Sequence, residues 1–278
     1  MGGDKLVGEE RVLNEVFKWE KELRDYVTSD FEKLYDLSLD QSFKNLPQAY
    51  QDKFYDVIDQ WFLYTYTFLQ STTMQNEAVN RVLQVARTYD ETIEKVEDLR
   101  HLSIEKLTYL ADQQIAKNRL YALTQGGLTG SGGFLFLSSD LPVMVALNLR
   151  TVQMVGTSFG YNMHHPAEML LALKVFHAGM LPKRMQYEAW EKLKKNTEKS
   201  YSALLNEQNL TDQTWLEQPI QQIFKTIAIL SLRKKKFQGI PLLSIGIGAT
   251  VNYRLARNVT SLAKHFYQYR FIHDKRVK

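Results

Sequence analysis

Cysteine is absent from this chain of 278 residues, and the absence excludes several kinds of site. Without thiols there is no disulfide, no cysteine-bound zinc, no iron–sulfur cluster and no thiol nucleophile. The first ten residues are polar and acidic, so we expect no signal peptide. Glycine or polar residues interrupt every apolar stretch before it reaches eighteen residues, so we expect no ordinary membrane-spanning helix. Together these features predict a cytoplasmic protein.

Charge is distributed unevenly along the chain. Residues 1–112 hold 13 Lys and Arg against 22 Asp and Glu, whereas residues 113–278 hold 22 against 9. The basic part could meet the acidic part within the molecule, or an anionic partner such as lipid headgroups or nucleic acid. Two lobes with different solvated faces are the alternative. Lys53 is the only basic residue among the aromatic residues of 48–70, so we expect no nucleic-acid partner.

Helical periodicity dominates, and no alternating run is bounded by turn residues. We predict an all-α bundle of about eight or nine helices around a glycine-rich central helical hairpin, with residues 134–158 packed on residues 242–268. The predicted helices are 9–28, 48–70, 77–100, 104–125, one opened by Asp140, then 166–180, 183–206, 219–232 and a final helix carrying a stripe from Ile247 to Phe266.

The central segment holds five of the fourteen glycines, and Asp140 is its only charge between Leu120 and Leu149. The glycines are Gly126, Gly127, Gly130, Gly132 and Gly133. A glycine loop before a helix can bind phosphate with its amides, but here no lysine follows and a helix, not a strand, precedes. Close helix packing is the alternative, and contact of an apolar hairpin with a membrane is a third.

The helix after these glycines carries three further candidate residues. Asp140 suits the N-cap position, with Pro142 in the first turn. Arg150 lies on the same face as Val143, where a guanidinium needs a carboxylate, a carbonyl or a ligand anion. We expect a structural ion pair for Arg150.

A second apolar, glycine-containing segment follows the basic run Arg233, Lys234, Lys235 and Lys236. Its candidate packing or ligand residues are Pro241, Gly246, Gly248 and Asn252. Four cations beside an apolar segment predict attachment to an anionic membrane surface. A solvated charge run at the end of a helix is the alternative.

Histidines between the two segments suggest only a thin metal motif. His164 and Glu168 are four residues apart and His165 and His177 lie nearby, but the second histidine of H-E-x-x-H is missing. We expect neither a metal nor a cofactor. No Ser-His-Asp spacing or pair of carboxylates points to catalysis.

These segments together resemble the signature segments of the EcsC protein family over roughly residues 75–272. The resemblance is carried by Gly126–Phe134, Asp140–Pro142, Leu149–Arg150, Gly160–Tyr161, Ile240–Pro241, Gly246–Ala249 and Asn252–Tyr253. It implies a bacterial, mostly helical protein, of a family whose founding member accompanies an Ecs-type ABC transporter in some bacteria. It implies no catalytic residue. We predict an N-terminal helical region, 1–74, and an EcsC-like domain, 75–278, or one continuous fold.

Three function classes follow from the sequence. The first is a peripheral membrane or lipid-binding protein at the inner face of the cell membrane, beside an ABC transporter or another protein partner. The second is a soluble adaptor whose glycine-rich segments are core. The third is an enzyme or a phosphate-ligand protein that uses the segment Gly126–Gly133 and Arg150.

Overall fold

A computed structural model describes residues 2–28, 72–129, 134–181, 183–197 and 241–277. Every regular element in these five ranges is helical, which confirms the all-α fold. In chain order the elements are α1 (Gly2–Arg24), α2 (Thr72–Arg87), a short 3₁₀ helix (Val96–His101), α3 (Ile104–Thr129), α4 (Phe134–Ser158), α5 (Pro166–Met180), α6 (Lys183–Thr197) and α7 (Pro241–Val277). The predicted helices 48–70 and 219–232 lie outside the described residues.

The last helix, α7, is the centre of the bundle. Its residues Val259, Leu262 and Phe266 follow helical spacing and are completely buried. Burying side chains of this size contributes about 1.5–3 kcal/mol each. Helices α3, α4 and α5 all pack against α7. The predicted packing of 134–158 on 242–268 is therefore confirmed.

Two glycines allow helices to approach closely in this core. A Cβ atom at Gly179 of α5 would lie 2.6 Å from Val259 Cα on α7. A Cβ atom at Gly156 of α4 would lie 2.7 Å from Tyr267 Cζ, also on α7. Neither glycine belongs to the glycine-rich segments that the sequence predicts to pack closely.

The N-terminal helix joins the bundle through aromatic contacts. Trp19 of α1 meets Trp190 of α6 edge to face, with ring centroids 5.0 Å apart. Trp19 also stacks on His265 of α7 with centroids 4.3 Å apart and an interplanar angle of 8°. Trp190 is fully buried, so this junction is part of the core.

The helix predicted over 77–100 is wrong in its second half, because α2 ends at Arg87. The Asp90 carboxylate accepts hydrogen bonds from the backbone N–H and the hydroxyl of Thr92, at 3.0 and 2.6 Å. Such local bonds offer the backbone an alternative to the helix. Ile93 and Val96 keep helical spacing and are buried, but the chain reaches the core there through turns and the 3₁₀ helix.

The prediction that Asp140 caps a helix is also wrong, because α4 begins at Phe134. Asp140 and Pro142 lie inside the helix. A proline there removes one backbone hydrogen bond, but the helix still extends for about two turns before Leu141. Similarly, Gly126 and Gly127 are helical residues of α3 and not part of a loop. Each glycine costs about 1 kcal/mol in a helix, which cooperative extension of a long helix can offset.

Candidate functional site

Three long helices share one end of the bundle. Asn118 Nδ2 of α3 donates to Asn148 Oδ1 of α4 at 3.0 Å, in the buried interior. Only four residues separate the end of α3 from the start of α4. Since both helices continue past the asparagine pair toward that short connection, they lie antiparallel, with the end of α3 beside the start of α4.

Contacts between α3 and α7 fix the third helix in the same way. Lys264 Nζ of α7 lies 2.8 Å from both carboxylate oxygens of Asp112. One turn further along α7, Gln268 Nε2 donates to Thr108 Oγ1 at 3.1 Å. Rising residue numbers on α7 thus meet falling numbers on α3, and the helices are antiparallel. The start of α7 therefore lies beside the end of α3.

We call this end of the bundle the glycine-rich end, defined as residues 122–129, 134–144 and 241–252. Most of the predicted site residues fall in its three helical segments: Gly126, Gly127, Asp140, Pro142, Pro241, Gly246, Gly248 and Asn252. Helices α3, α4 and α7 bring these residues from distant parts of the sequence to the same end of the fold. Close packing at Gly246 and Gly248 stays a prediction.

Most of the remaining candidates lie outside the described residues: Gly130, Gly132, Gly133 and the basic run Arg233–Lys236. The predicted glycine hairpin between α3 and α4 therefore stays a prediction at its turn. Gly126 and Gly127 belong to a helix. They are therefore not part of a phosphate-binding loop over Gly126–Gly133.

Arg150 lies half-buried on α4, near α2. Burial lowers the pKa of its guanidinium, and the positive charge of Arg81 lowers that pKa further, while Glu77 partly offsets both. Charged groups of α2 thus act on Arg150 from a neighbouring helix. The expectation of a structural ion pair for Arg150 stays a prediction.

The opposite end of the bundle carries a buried cluster of charged and aromatic side chains. The Tyr161 ring lies between the guanidinium groups of Arg100 and Arg270, at 4.5 and 3.9 Å from the ring centroid. Tyr161 Oη also donates to Asp274 Oδ2 at 3.0 Å. Burial is the main reason that the pKa of Tyr161 is raised well above its ordinary value.

Arg270 is a buried cation of this cluster, and it is paired with Glu168. Its Nη1 and Nη2 atoms each contact one carboxylate oxygen of Glu168, the second at 2.8 Å. Burial alone lowers the pKa of Arg270, but the hydrogen bond and charge of Glu168 outweigh burial and raise it. No sequence pattern indicates this pair, since 102 residues separate the partners and only the fold brings them together.

Gly160 shapes the turn that presents Tyr161 to this cluster. Its φ angle of 82° lies in the left-handed region that favours glycine. Its carbonyl oxygen accepts a hydrogen bond from Arg100 Nε at 3.1 Å. The Gly160–Tyr161 pair, part of the sequence resemblance, therefore has a structural role.

The residues of the candidate metal motif have other roles in the structure. His165 Nδ1 accepts from the backbone N–H of Ala167 at 3.4 Å and caps α5. Glu168 is engaged by Arg270, and burial lowers the pKa of His177 to about 4. Within the described ranges, no group of three or more His, Asp or Glu residues could hold a metal ion. Nor does any described helix have the length and apolarity needed to cross a membrane.

Comparison with known proteins identifies the family. The model of the EcsC protein family matches residues 10–272. The chain belongs to this family. The match starts at residue 10, so it also covers most of the N-terminal region, where the sequence motifs showed no resemblance. The division at residues 74 and 75 stays a prediction.

Two similar proteins come from Bacillus subtilis strain 168. One, named uncharacterized protein YdbA, is 26% identical over 272 residues, which are 95% of this chain and 92% of the relative. The other, named protein EcsC, is 20% identical over 208 residues, which are 73% of this chain and 79% of the relative. No solved structure matches.

Proposed function

We propose that this EcsC-family protein is a non-catalytic peripheral membrane protein that binds anionic lipid at its glycine-rich end. The observation that supports the proposal is the meeting of three apolar helical segments at this end: the last turns of α3, the first half of α4 and the first turns of α7. Together they contain one charged residue, Asp140. In the sequence, the run Arg233–Lys236 stands five residues before α7 begins.

Charge and apolar area supply the two signals that stable membrane attachment needs. Each Lys or Arg near an anionic leaflet contributes about 1 kcal/mol, so the run could supply about 4 kcal/mol. That attraction alone is reversible and sensitive to salt. Apolar residues from Phe134 to Leu137 and from Phe237 to Ile247 supply the second signal.

Sedimentation with lipid vesicles tests the proposal. We expect the full chain to bind vesicles that contain phosphatidylglycerol at low salt, and to bind pure phosphatidylcholine vesicles weakly. Changing Arg233, Lys234, Lys235 and Lys236 to glutamine should abolish most of the binding to the anionic vesicles.

A matched variant controls for net charge. Lys18, Lys21, Lys192 and Lys195 are exposed on α1 and α6, away from the glycine-rich end. Changing these four lysines to glutamine removes the same charge, and we expect near-normal binding. Equal loss in both variants would reduce the effect to net charge. No binding of the unaltered chain at low salt would reject the proposal and favour a soluble adaptor.

We also propose that the protein works beside a membrane partner, an Ecs-type ABC transporter, at the inner face of the cell membrane. The support is family membership alone. Cross-linking in cells that express the transporter tests it. Recovery of the chain in the membrane fraction without any transporter subunit attached would contradict it.

A further inference from the structure

Four cations lie on α3 and α7 where these two helices enter the glycine-rich end. Lys117 of α3 and Arg254 and Arg257 of α7 are all exposed. Arg119 is half-buried, and its Nε and Nη2 atoms donate to Thr260 Oγ1 at 3.3 and 3.2 Å. We call these four residues, Lys117, Arg119, Arg254 and Arg257, the cation band.

The register of the two helices places the band at one level. Asp112 faces Lys264 and Thr108 faces Gln268, so antiparallel pairing sets Arg257 level with about residue 119 of α3. Arg254 is then level with about residue 122. The band is therefore about 8 Å thick along the bundle axis, at 1.5 Å of rise per residue.

No acidic residue neutralises the band from its own helices. Neither α3 from Gln113 to Thr129 nor α7 from Pro241 to His273 contains Asp or Glu. Large apolar side chains lie within it instead: Leu120 is 63% exposed and Tyr121 is 59% exposed. Cations interleaved with a tyrosine and a leucine are typical of residues at a membrane–water interface.

The helical segments beyond the band have the length of one membrane leaflet. The pairing of Asn118 with Asn148 sets about residue 144 of α4 level with the band's outer edge. Beyond it α4 continues for residues 134–143, about 15 Å, and α7 for residues 241–253, about 20 Å. Half of a hydrocarbon core is about 15 Å thick. Helices satisfy their own backbone hydrogen bonds and so can enter hydrocarbon.

We infer that the glycine-rich end inserts into a single leaflet as a three-helix wedge, with the cation band at the phosphates of anionic phospholipids. This inference rests on the proposed function and adds a depth and an orientation to it. Tyr121 lies at the interface in this orientation. Asp140, about four residues beyond the band level on α4, is the one charge carried into the leaflet.

Insertion depth can be measured because the natural chain has no cysteine. A single cysteine in place of Leu137, Leu120 or Val27 carries a polarity-sensitive fluorophore at a unique site. Vesicles of phosphatidylglycerol and phosphatidylcholine then carry a quencher either at the headgroup or deep in the acyl chain. Val27 is 85% exposed just after α1 and serves as the control.

We expect the deep quencher to act on the label at Leu137, the headgroup quencher to act on the label at Leu120, and neither to act on the label at Val27. If all labelled chains sediment with vesicles but the Leu137 label responds only to the headgroup quencher, the protein rests on the surface and insertion is wrong. The proposed function would survive that result. Absence of vesicle binding would reject both.

The cation band has its own test. Lys117→Gln, Arg254→Gln and Arg257→Gln together leave Arg119 and its contact with Thr260 intact. We expect binding to anionic vesicles to weaken about a hundredfold at low salt, since each lost charge costs about fivefold. Changing Lys18, Lys21 and Lys192 to glutamine removes equal charge as a control. Equal weakening in the two triple variants, each with an unfolding temperature like that of the unaltered chain, would overturn the role of the band.

Discussion

Arg270 and Glu168 face each other across α7 and α5 through two parallel contacts, in a site where their side chains are 8% and 2% exposed. Planar guanidinium and carboxylate groups suit this paired geometry. The same guanidinium lies on the Tyr161 ring. Helices α5 and α7 and the turn between α4 and α5 therefore meet at one buried charge. Removing Arg270 would leave the Glu168 carboxylate buried without its paired cation. Removing Glu168 would leave Arg270 with the more distant carboxylate of Asp274, whose Oδ2 lies 4.0 Å from Nε.

Glu168→Gln should therefore destabilise the fold strongly. We expect a loss of about 3–5 kcal/mol in the free energy of unfolding, because Arg270 would keep its charge without its paired carboxylate, and Asp274, 4.0 Å from Nε, replaces that pairing only in part. Denaturant unfolding measures the loss. Glu188→Gln is the control: Glu188 pairs with Lys192 at 2.8 Å, but both side chains are largely exposed. Such pairs contribute at most about 1 kcal/mol. Similar losses in the two variants would contradict the importance of the buried pair.

Gly179→Ala gives a test in which the sign of the effect decides. In a helix with open space, replacing glycine by alanine stabilises by about 0.5–1 kcal/mol. At Gly179 the new methyl group would lie 2.6 Å from the Val259 backbone, and backbone cannot move aside cheaply. We expect a destabilisation of about 1–3 kcal/mol instead. An unfolding temperature above that of the unaltered chain would show that α5 and α7 are not in close contact there.

The sequence predicted the helical fold and the packing of the last helix on residues 134–158, because the apolar spacing on α7 is regular. It placed a glycine-rich hairpin at the centre, whereas the described part of the chain has α7 there. It did not predict where α2 ends, because Ile93 and Val96 keep helical spacing in a segment that side-chain hydrogen bonds turn out of the helix. Nor did it predict the start of α4, since the local sequence around Asp140 and Pro142 has the features of a helix N-cap.

The candidate residues were only partly predictable for a related reason. Composition indicated the glycine-rich segments, and the fold then brought them to one end. The partners Glu168 and Arg270 carry no local signal, since each looks like an ordinary helix residue. Gly156 and Gly179 are single glycines within apolar helices, and only the crossing with α7 shows that a side chain there would collide.

Two buried histidines predict that stability falls on the acid side of neutrality. Burial is the main cause that lowers the pKa of both His265 and His177 to about 4. In the unfolded chain their pKa is about 6.5. The unfolded state thus binds more protons between these values. The stability is fully present above about pH 6.5 and is lost as pH falls toward 4.

The expected slope is up to about 1.4 kcal/mol per pH unit for each histidine. Unfolding free energies measured from pH 7 to pH 4.5 check this slope. His265→Phe keeps an aromatic ring against Trp19 and should reduce the slope by one histidine's share. His164→Phe, at an exposed position, should leave it unchanged. The same slope in the His265 variant and the unaltered chain would contradict the neutral, buried state of His265.

Tyr161 allows the hydrogen bond and the ring of the buried cluster to be separated. Tyr161→Phe removes only the bond to Asp274 at 3.0 Å and keeps a ring between Arg100 and Arg270. A typical hydrogen bond contributes about 0.5–1.5 kcal/mol, and we expect a loss of that size.

Tyr161→Leu removes the ring as well. Since a desolvated cation–π contact contributes about 2 kcal/mol, we expect the leucine variant to lose at least about 2 kcal/mol more than the phenylalanine variant. Denaturant unfolding of both variants gives the comparison. Equal losses would mean that the two guanidinium groups gain nothing from the aromatic face, and that the hydrogen bond to Asp274 carries the whole contribution of Tyr161.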